Sequence, residues 1–232
     1  MSELFNEIDV LKSFDYANVI EEQGFKKILI RFHQNVESMD NEDDKERLFN
    51  LHNVVLDDNG SVVCRGLPFF AKYDKLSRTQ QIDFLSDKMT MIEFIQGDRV
   101  NVTFINNKMF ISSNSDEARE KLIQKNIEPV LKKIYRVASG KNDEFHSICL
   151  KISKDNQVYI EGIVSNSDEP EFFEEKAIDM IVNNFCLNDN ILRPMHYTTS
   201  LNESSHKPNT EWIVRNGNVY CLMLNKLKKE KN

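Results

Sequence analysis

Short runs of alternating apolar and polar residues dominate this chain, and only a few stretches carry apolar positions at helical spacing. Residues 26–36 put Ile28, Ile30 and Phe32 on one side of an extended segment and Leu29 and Arg31 on the other. Residues 54–56 and 62–65 flank Asp57-Asp58-Asn59-Gly60, and the Asn-Gly pair favours a tight turn, which predicts an antiparallel hairpin. Residues 89–94, 99–105 and 109–111 predict a meander with its turn at Asn106-Asn107. Residues 148–152 and 158–164 predict a strand pair around Lys154-Asp155-Asn156, and 211–214 with 218–224 a last hairpin through Asn216-Gly217.

Helical spacing appears in three places. Leu4, Phe5, Ile8, Leu11 and Phe14 predict an amphipathic helix over residues 2–23, capped by Ser2 and stopped by Gly24. Ser115 or Asp116 caps a helix running to about residue 138, with Leu122, Ile123, Ile127, Val130, Leu131, Ile134 and Val137 as its stripe; Pro129 inside it predicts a kink or a break in two. A third helix starts at Pro170 and runs through Ile178, Ile181, Val182 and Phe185. Residues 37–47 read as an exposed acidic loop or a short helix, 79–88 as a short polar stretch with a helical turn, and 187–209 as a long loop. The fold class is α+β, with antiparallel β-sheets and flanking helices.

Composition narrows the picture. At 232 residues, 40% hydrophobic and 29% charged, the chain has enough apolar material for a core. No apolar run approaches the ~20 residues that cross a bilayer, and the acidic, amphipathic start is unlike a secretory leader, so a cytoplasmic location is expected. Cys64, Cys149, Cys186 and Cys221 are widely separated, which predicts reduced thiols; the scattered histidines lack ligand spacing, so neither a metal nor another cofactor is expected. The net charge of −7 opposes indiscriminate nucleic-acid binding, yet charge is segregated. Residues 40–44 and 168–175 are acidic, whereas 119–141 and 226–231 are basic. The bias towards Asn, Lys, Ile and Phe, with 7 Gly and 5 Pro, fits an AT-rich coding sequence such as a bacteriophage's.

Several stretches share an order and spacing. Gly66-Leu67-Pro68-Phe69-Phe70-Ala71-Lys72-Tyr73-Asp74 follows the hairpin, then come Ile92-Glu93-Phe94-Ile95-Gln96-Gly97-Asp98 and, near the end, Glu211-Trp212-Ile213-Val214; the chain opens with Glu3-Leu4-Phe5-Asn6. Together they resemble, over nearly the whole chain, the adenylyltransferase (nucleotidyltransferase) domain of T4-type RNA ligases. That family's nucleophile motif is Lys-x-Asp-Gly-Ser, preceded by an Arg-Pro-Phe-x-Lys-Phe-Phe-Asn run and followed by Phe-Glu, Glu-Gly-x-Val and Lys-x-Lys strands. In this alignment Phe94 stands at the nucleophilic lysine, Gln96 at the aspartate and Asp98 at the serine, while Gly97 is kept. Lys151 replaces the middle glutamate, Trp212 a late glycine, and Cys221-Leu222-Met223-Leu224 has no lysine at either late position. Glu161-Gly162-Ile163-Val164 matches the Glu-Gly-x-Val letters but comes too early, with no Lys-x-Lys strand after it.

The resemblance implies a single ligase-like nucleic-acid-binding domain over residues 1–226, followed by a basic, disordered tail over 227–232. Covalent nucleotidyl transfer needs the missing lysine, and stabilising charge on phosphates needs the missing late amines. A pseudoenzyme without catalytic residues is therefore expected. Lys88 would have to slip six residues to serve as nucleophile, and reads as a solvated lysine. The surviving cations suggest a groove for RNA, single-stranded and read with little sequence preference. Arg65, Lys72, Lys75 and Arg78 would rim it, and Arg99, Lys108 and Lys151 would face it from neighbouring strands. A second basic surface is the 116–138 helix, with Arg119, Lys121, Lys125, Lys132, Lys133 and Arg136. Tyr73, Phe94 and Trp212 are candidates for stacking on bases, worth ~1–3 kcal/mol each, or for the core. Two rivals stand beside RNA binding: an interaction protein that uses the same fold to bind a protein partner, and a residual nucleotide-binding enzyme.

Overall fold

The structure is a computed structural model that describes residues 17–30, 51–67, 71–72, 78, 89–140, 146–167, 170–185, 191–199, 211–216 and 219–224. The chain divides into two compact units, Met1–Pro68 with Gln96–Arg193, and Phe69–Ile95 with Pro194–Asn232.

The first unit has two four-stranded sheets. One runs in the order β1 (Ala17–Glu22), β2 (Phe25–Ile30), β3 (Val55–Leu56), β4 (Val62–Cys64). The start of this sheet differs from the helix expected over 2–23. Gln23 at φ 54° and Gly24 at φ 83° form a left-handed turn, so the glycine expected to stop a helix closes a β-hairpin instead. Residues 2–16 lie outside the described residues. The Asp57 turn between β3 and β4 is as expected: the Asp57 carboxylate accepts from the backbone N–H groups of Asn59 and Ser61, both at 2.9 Å.

The second sheet is ordered β10 (Val158–Ser165), β9 (His146–Ser153), β7 (Gly97–Ile105), β8 (Lys108–Ser113), all antiparallel. Asn106 and Asn107, at φ 50° and 64°, supply the tight turn between β7 and β8. Three helices follow one side of this sheet: α1 (Asp116–Gln124), α2 (Glu128–Ser139) and α3 (Glu175–Phe185). Ser115 caps α1, its hydroxyl accepting from Ala118 N at 3.2 Å. Pro129 breaks the expected long helix in two and sits in the first turn of α2, where its missing N–H costs nothing. The third helix starts later than Pro170, because Phe172 first bridges to Val164 of β10.

The core lies between this sheet and the helices. Val100, Val102 and Phe104 of β7 and Ile148, Leu150 and Ile152 of β9 pack with Leu122, Leu131, Ile134, Ile178 and Val182. The Phe104 and Tyr135 rings meet with centroids 5.2 Å apart.

In the second unit a five-stranded sheet has the order β11 (His196–Thr199), β6 (Met89–Glu93), β12 (Glu211–Asn216), β13 (Val219–Leu224), β5 (Ala71–Lys72). The last hairpin is as expected. The expected meander through 89–111 is not: β6 pairs with β11 and β12, and β7 belongs to the other sheet. Within the stretch expected to be one long loop, residues 196–199 form β11.

Candidate functional site

In a strand, successive side chains point to opposite faces. With Val100, Val102, Phe104, Ile148, Leu150 and Ile152 against the helices, the other face of β7 and β9 carries Arg99, Asn101, Thr103, Ser147, Cys149, Lys151 and Ser153. Such a row reads as solvent-facing, yet Asn101, Thr103, Ser147, Lys151 and Ser153 are buried. The first sheet covers it. Arg65 N donates to Ser147 Oγ at 2.9 Å, Cys149 Sγ donates to the Arg65 carbonyl at 3.8 Å, and Gln23 Nε2 donates to the Ile111 carbonyl at 2.8 Å. Buried polar groups persist only when paired, so this layer between two sheets is where the unusual chemistry of the unit sits.

Its centre is an ionic cluster. Arg99 and Lys151 are direct cross-strand partners, a like-charge placement that is destabilising alone. A bulge in β10, where the register shifts between Ile160 and Gly162, brings in Glu161 as the counter-charge. Arg99 Nε donates to Glu161 Oε2 at 3.0 Å; the arginine side chain is 23% exposed and the carboxylate 1%. Glu161 Oε1 is buried without a hydrogen-bond partner. Burial pushes the Lys151 amine below the usual lysine range, Glu161 opposes that shift, and Arg99 adds to it.

A second cluster joins the β1–β2 hairpin to the sheet. Glu22 accepts from Ser112 Oγ at 2.7 Å and Ser113 N at 3.3 Å, lies 3.4 Å from Lys27 Nζ, and pairs with the Arg119 guanidinium of α1. Lys27 is fully buried, and desolvation holds its amine below the ordinary range despite Glu22. Burial, with Arg99 and Lys27 nearby, pushes His52 down to about 4, so the imidazole is neutral at pH 7. Burial also pushes the Cys64 thiol up to about 12 and raises Cys149, which leaves neither as a thiolate nucleophile at neutral pH. Sequence reasoning missed Glu22, Lys27 and His52, and read Arg119 as part of the basic helix surface, where it pairs with Glu22 and Asp116. The signal for the first pair was the Gln23-Gly24 turn, which sets Glu22 and Lys27 on neighbouring strands.

The expected RNA contacts divide. Arg65 is buried, its guanidinium Nη2 donating to the Ser167 carbonyl at 2.9 Å. Lys151 is buried in the ionic cluster. Neither cation presents its charge on the surface. Lys72 lies on β5 and Arg78 is exposed, both in the second unit, and Lys75 lies outside the described residues. Lys108 does not join Arg99: it pairs with Ile105 at the far end of the β7–β8 hairpin, about 20 Å along the strand at ~3.3 Å per residue. It lies beside α2 instead. Lys132 Nζ donates to the Asn107 carbonyl at 3.0 Å and sits 6.0 Å above the Phe104 ring. Leu131, Ile134 and Ala138 turn α2 towards the core, so Lys133 and Arg136 are exposed on the opposite side, next to Lys132. Among the described residues Lys108, Lys132, Lys133 and Arg136 have no carboxylate partner, in contrast to Lys121, which pairs with Glu117 at 2.6 Å. Of the first basic surface expected from sequence only Lys108 joins the second, in a patch at the β7–β8 turn and the outer face of α2.

Trp212 is buried in β12, opposite Met223 and Glu93, and is a core residue. Phe94 is half-buried just after β6, and Tyr73 lies outside the described residues. Gly97 has a structural reason to be glycine. At φ 154° a Cβ there would lie 2.0 Å from the Ile152 carbonyl oxygen, so the close approach of β7 to β9 requires it. Among the described residues no group of His, Cys, Asp and Glu is arranged to hold a metal ion, and no helix is long and apolar enough to cross a membrane.

Comparison with solved structures places this architecture. An archaeal ATP-dependent RNA ligase matches in two forms, with TM-scores of 0.54 and 0.52, 12% identity, and coverage of 94% of this chain and 60% of that one. A putative ATP-dependent DNA ligase from Aquifex aeolicus matches with a TM-score of 0.53 and 8% identity, over 95% of this chain and 62% of its own. The fold is like that of these ATP-dependent ligases. The likeness is at the level of fold alone, and the chain spans about 60% of the length of these ligases. No protein-family model and no curated protein matches the sequence.

Proposed function

We propose that this chain is a catalytically inactive, ligase-like protein that binds single-stranded RNA with little sequence preference, a degenerate, phage-encoded relative of the adenylyltransferase domain of T4-type RNA ligases that works in the host cytosol. The observation that carries the proposal is the patch at Lys108, Lys132, Lys133 and Arg136, whose charges have no carboxylate partner among the described residues. Phosphate neutralisation by such cations supplies most non-specific affinity for nucleic acid. Along a helix, residues four apart rise ~6 Å, so Lys132 and Arg136 repeat at a spacing that an extended phosphate backbone can follow. The buried interlayer cations take no part: Arg65, Lys27 and Lys151 serve the fold.

The absence of catalysis rests on Phe94 at the nucleophile position and on the missing late lysines. Incubation with labelled ATP and Mg²⁺ should leave no covalent adduct. For binding, the triple charge reversal Lys132→Glu, Lys133→Glu, Arg136→Glu should abolish retention of labelled single-stranded RNA at low salt while leaving the far-UV spectrum unchanged. An adduct would revive an enzyme, and undiminished retention by the triple variant would move binding away from α2.

A further inference from the structure

The chain passes between its two units at Pro68/Phe69, Ile95/Gln96 and Arg193/Pro194. On the side of the first unit, a residue at or near each passage meets one of three consecutive residues of β10, Ile160, Glu161 and Gly162. The early Glu-Gly-Ile-Val stretch, which matches a ligase motif by letters only, contains two of them.

The first passage ends on Leu67, whose side chain lies over Gly162: a Cβ built on that glycine would be 2.8 Å from Leu67 Cδ2. The second begins at β7, where Arg99 is held by Glu161 at 3.0 Å. The third arrives through Leu192 and Arg193. Leu192 N donates to the Val158 carbonyl at 2.8 Å and Ile160 N donates to the Leu192 carbonyl at 2.9 Å, while the Arg193 guanidinium donates to the Ile160 carbonyl and pairs with Glu175 and Asp179 of α3.

The three residues span the bulge between Ile160 and Gly162. A bulge inserts one residue into the ladder and re-aims the neighbours; without it, the segment slips by one position and its side chains exchange faces. Glu161 is the inserted residue, and its pairing with Arg99, beside Lys151, is what favours keeping it inside. We infer that Ile160-Glu161-Gly162 is a junction clamp in which Glu161 is the key: the three segments of the first unit that lead into the passages loosen together when its hydrogen bond to Arg99 is lost. The clamp lies wholly within the first unit and operates whatever the α2 surface binds.

Amide hydrogen exchange of the full chain tests this. Glu161→Ala should speed exchange by more than about tenfold at three separated places, residues 65–67, 97–99 and 191–193, while the β7–β8 turn end and α1 stay protected. Glu161→Gln keeps an acceptor for Arg99 and should restore most of the protection. Arg193→Gln, which leaves Glu161 in place and provides a second route if Glu161→Ala does not fold, should also loosen residues 65–67. Faster exchange confined to 97–99 in Glu161→Ala, a uniform rise through the unit, or loosening limited to 191–193 in Arg193→Gln would each overturn the clamp.

Discussion

Glu22 is a position where a single atom change should cost much. Its carboxylate neutralises Lys27, which is 1% exposed, at 3.4 Å, and also receives Ser112, Ser113 and Arg119. Breaking a buried pair by removing one partner costs about 3–5 kcal/mol, because the remaining charge is left without compensation. Glu22→Gln keeps one oxygen acceptor for the serines, and Arg119 retains Asp116 at 3.3 Å, so the lower end of about 3 kcal/mol is expected. That is a large share of a typical total of ~5–15 kcal/mol. Urea unfolding at constant m measures it directly. The companion variant Lys27→Met removes the charge that Glu22 compensates, so the same Glu22→Gln change in that background should cost at least about 1.5 kcal/mol less. A Glu22→Gln loss under about 0.5 kcal/mol, or an equal loss with and without Lys27, would refute the assignment of Glu22 as the counter-charge.

Two further predictions follow from the same layer. His52 sits at about 4 when folded and near 6.5 when unfolded, so the unfolded chain binds the extra proton and stability falls as pH drops from 6.5 to 4. Allowing for its partial exposure the loss is about 2 kcal/mol, and His52→Asn should flatten that part of a Tm-against-pH profile. Gly97→Ala meets a backbone oxygen that cannot swing away and should destabilise by about 3 kcal/mol or more, whereas Gly162→Ala meets only the movable tip of Leu67 and should cost about 1 kcal/mol by thermal unfolding.

Much of the fold was legible where the signal is local. Asn106-Asn107 and Asp57 to Gly60 gave their hairpins, and Pro129 gave the break between α1 and α2. What failed depended on distant partners. The segment before Gly24 carries apolar residues compatible with either period, and only pairing with β2 makes residues 17–22 a strand. β11 is short and exists through β6, and β6 and β7 part into different sheets at a glycine that sequence reading took for a motif remnant. The ionic layer was the least visible feature. Arg99, Asn101 and Thr103 alternate with apolar residues as a solvent face would, and nothing local says that a second sheet covers them. For the same reason Arg65 and Lys151 were read as surface cations, while Lys108 was read with Arg99 and not with α2.

Affinity for single-stranded RNA as a function of salt tests the central claim most directly. With the four cations Lys108, Lys132, Lys133 and Arg136 each meeting a phosphate, log K should fall with log salt at a slope of about −3, from about −0.7 per contact. Each single removal should reduce the slope by about 0.7. A slope near zero, or one unchanged when these side chains are replaced, would contradict the account.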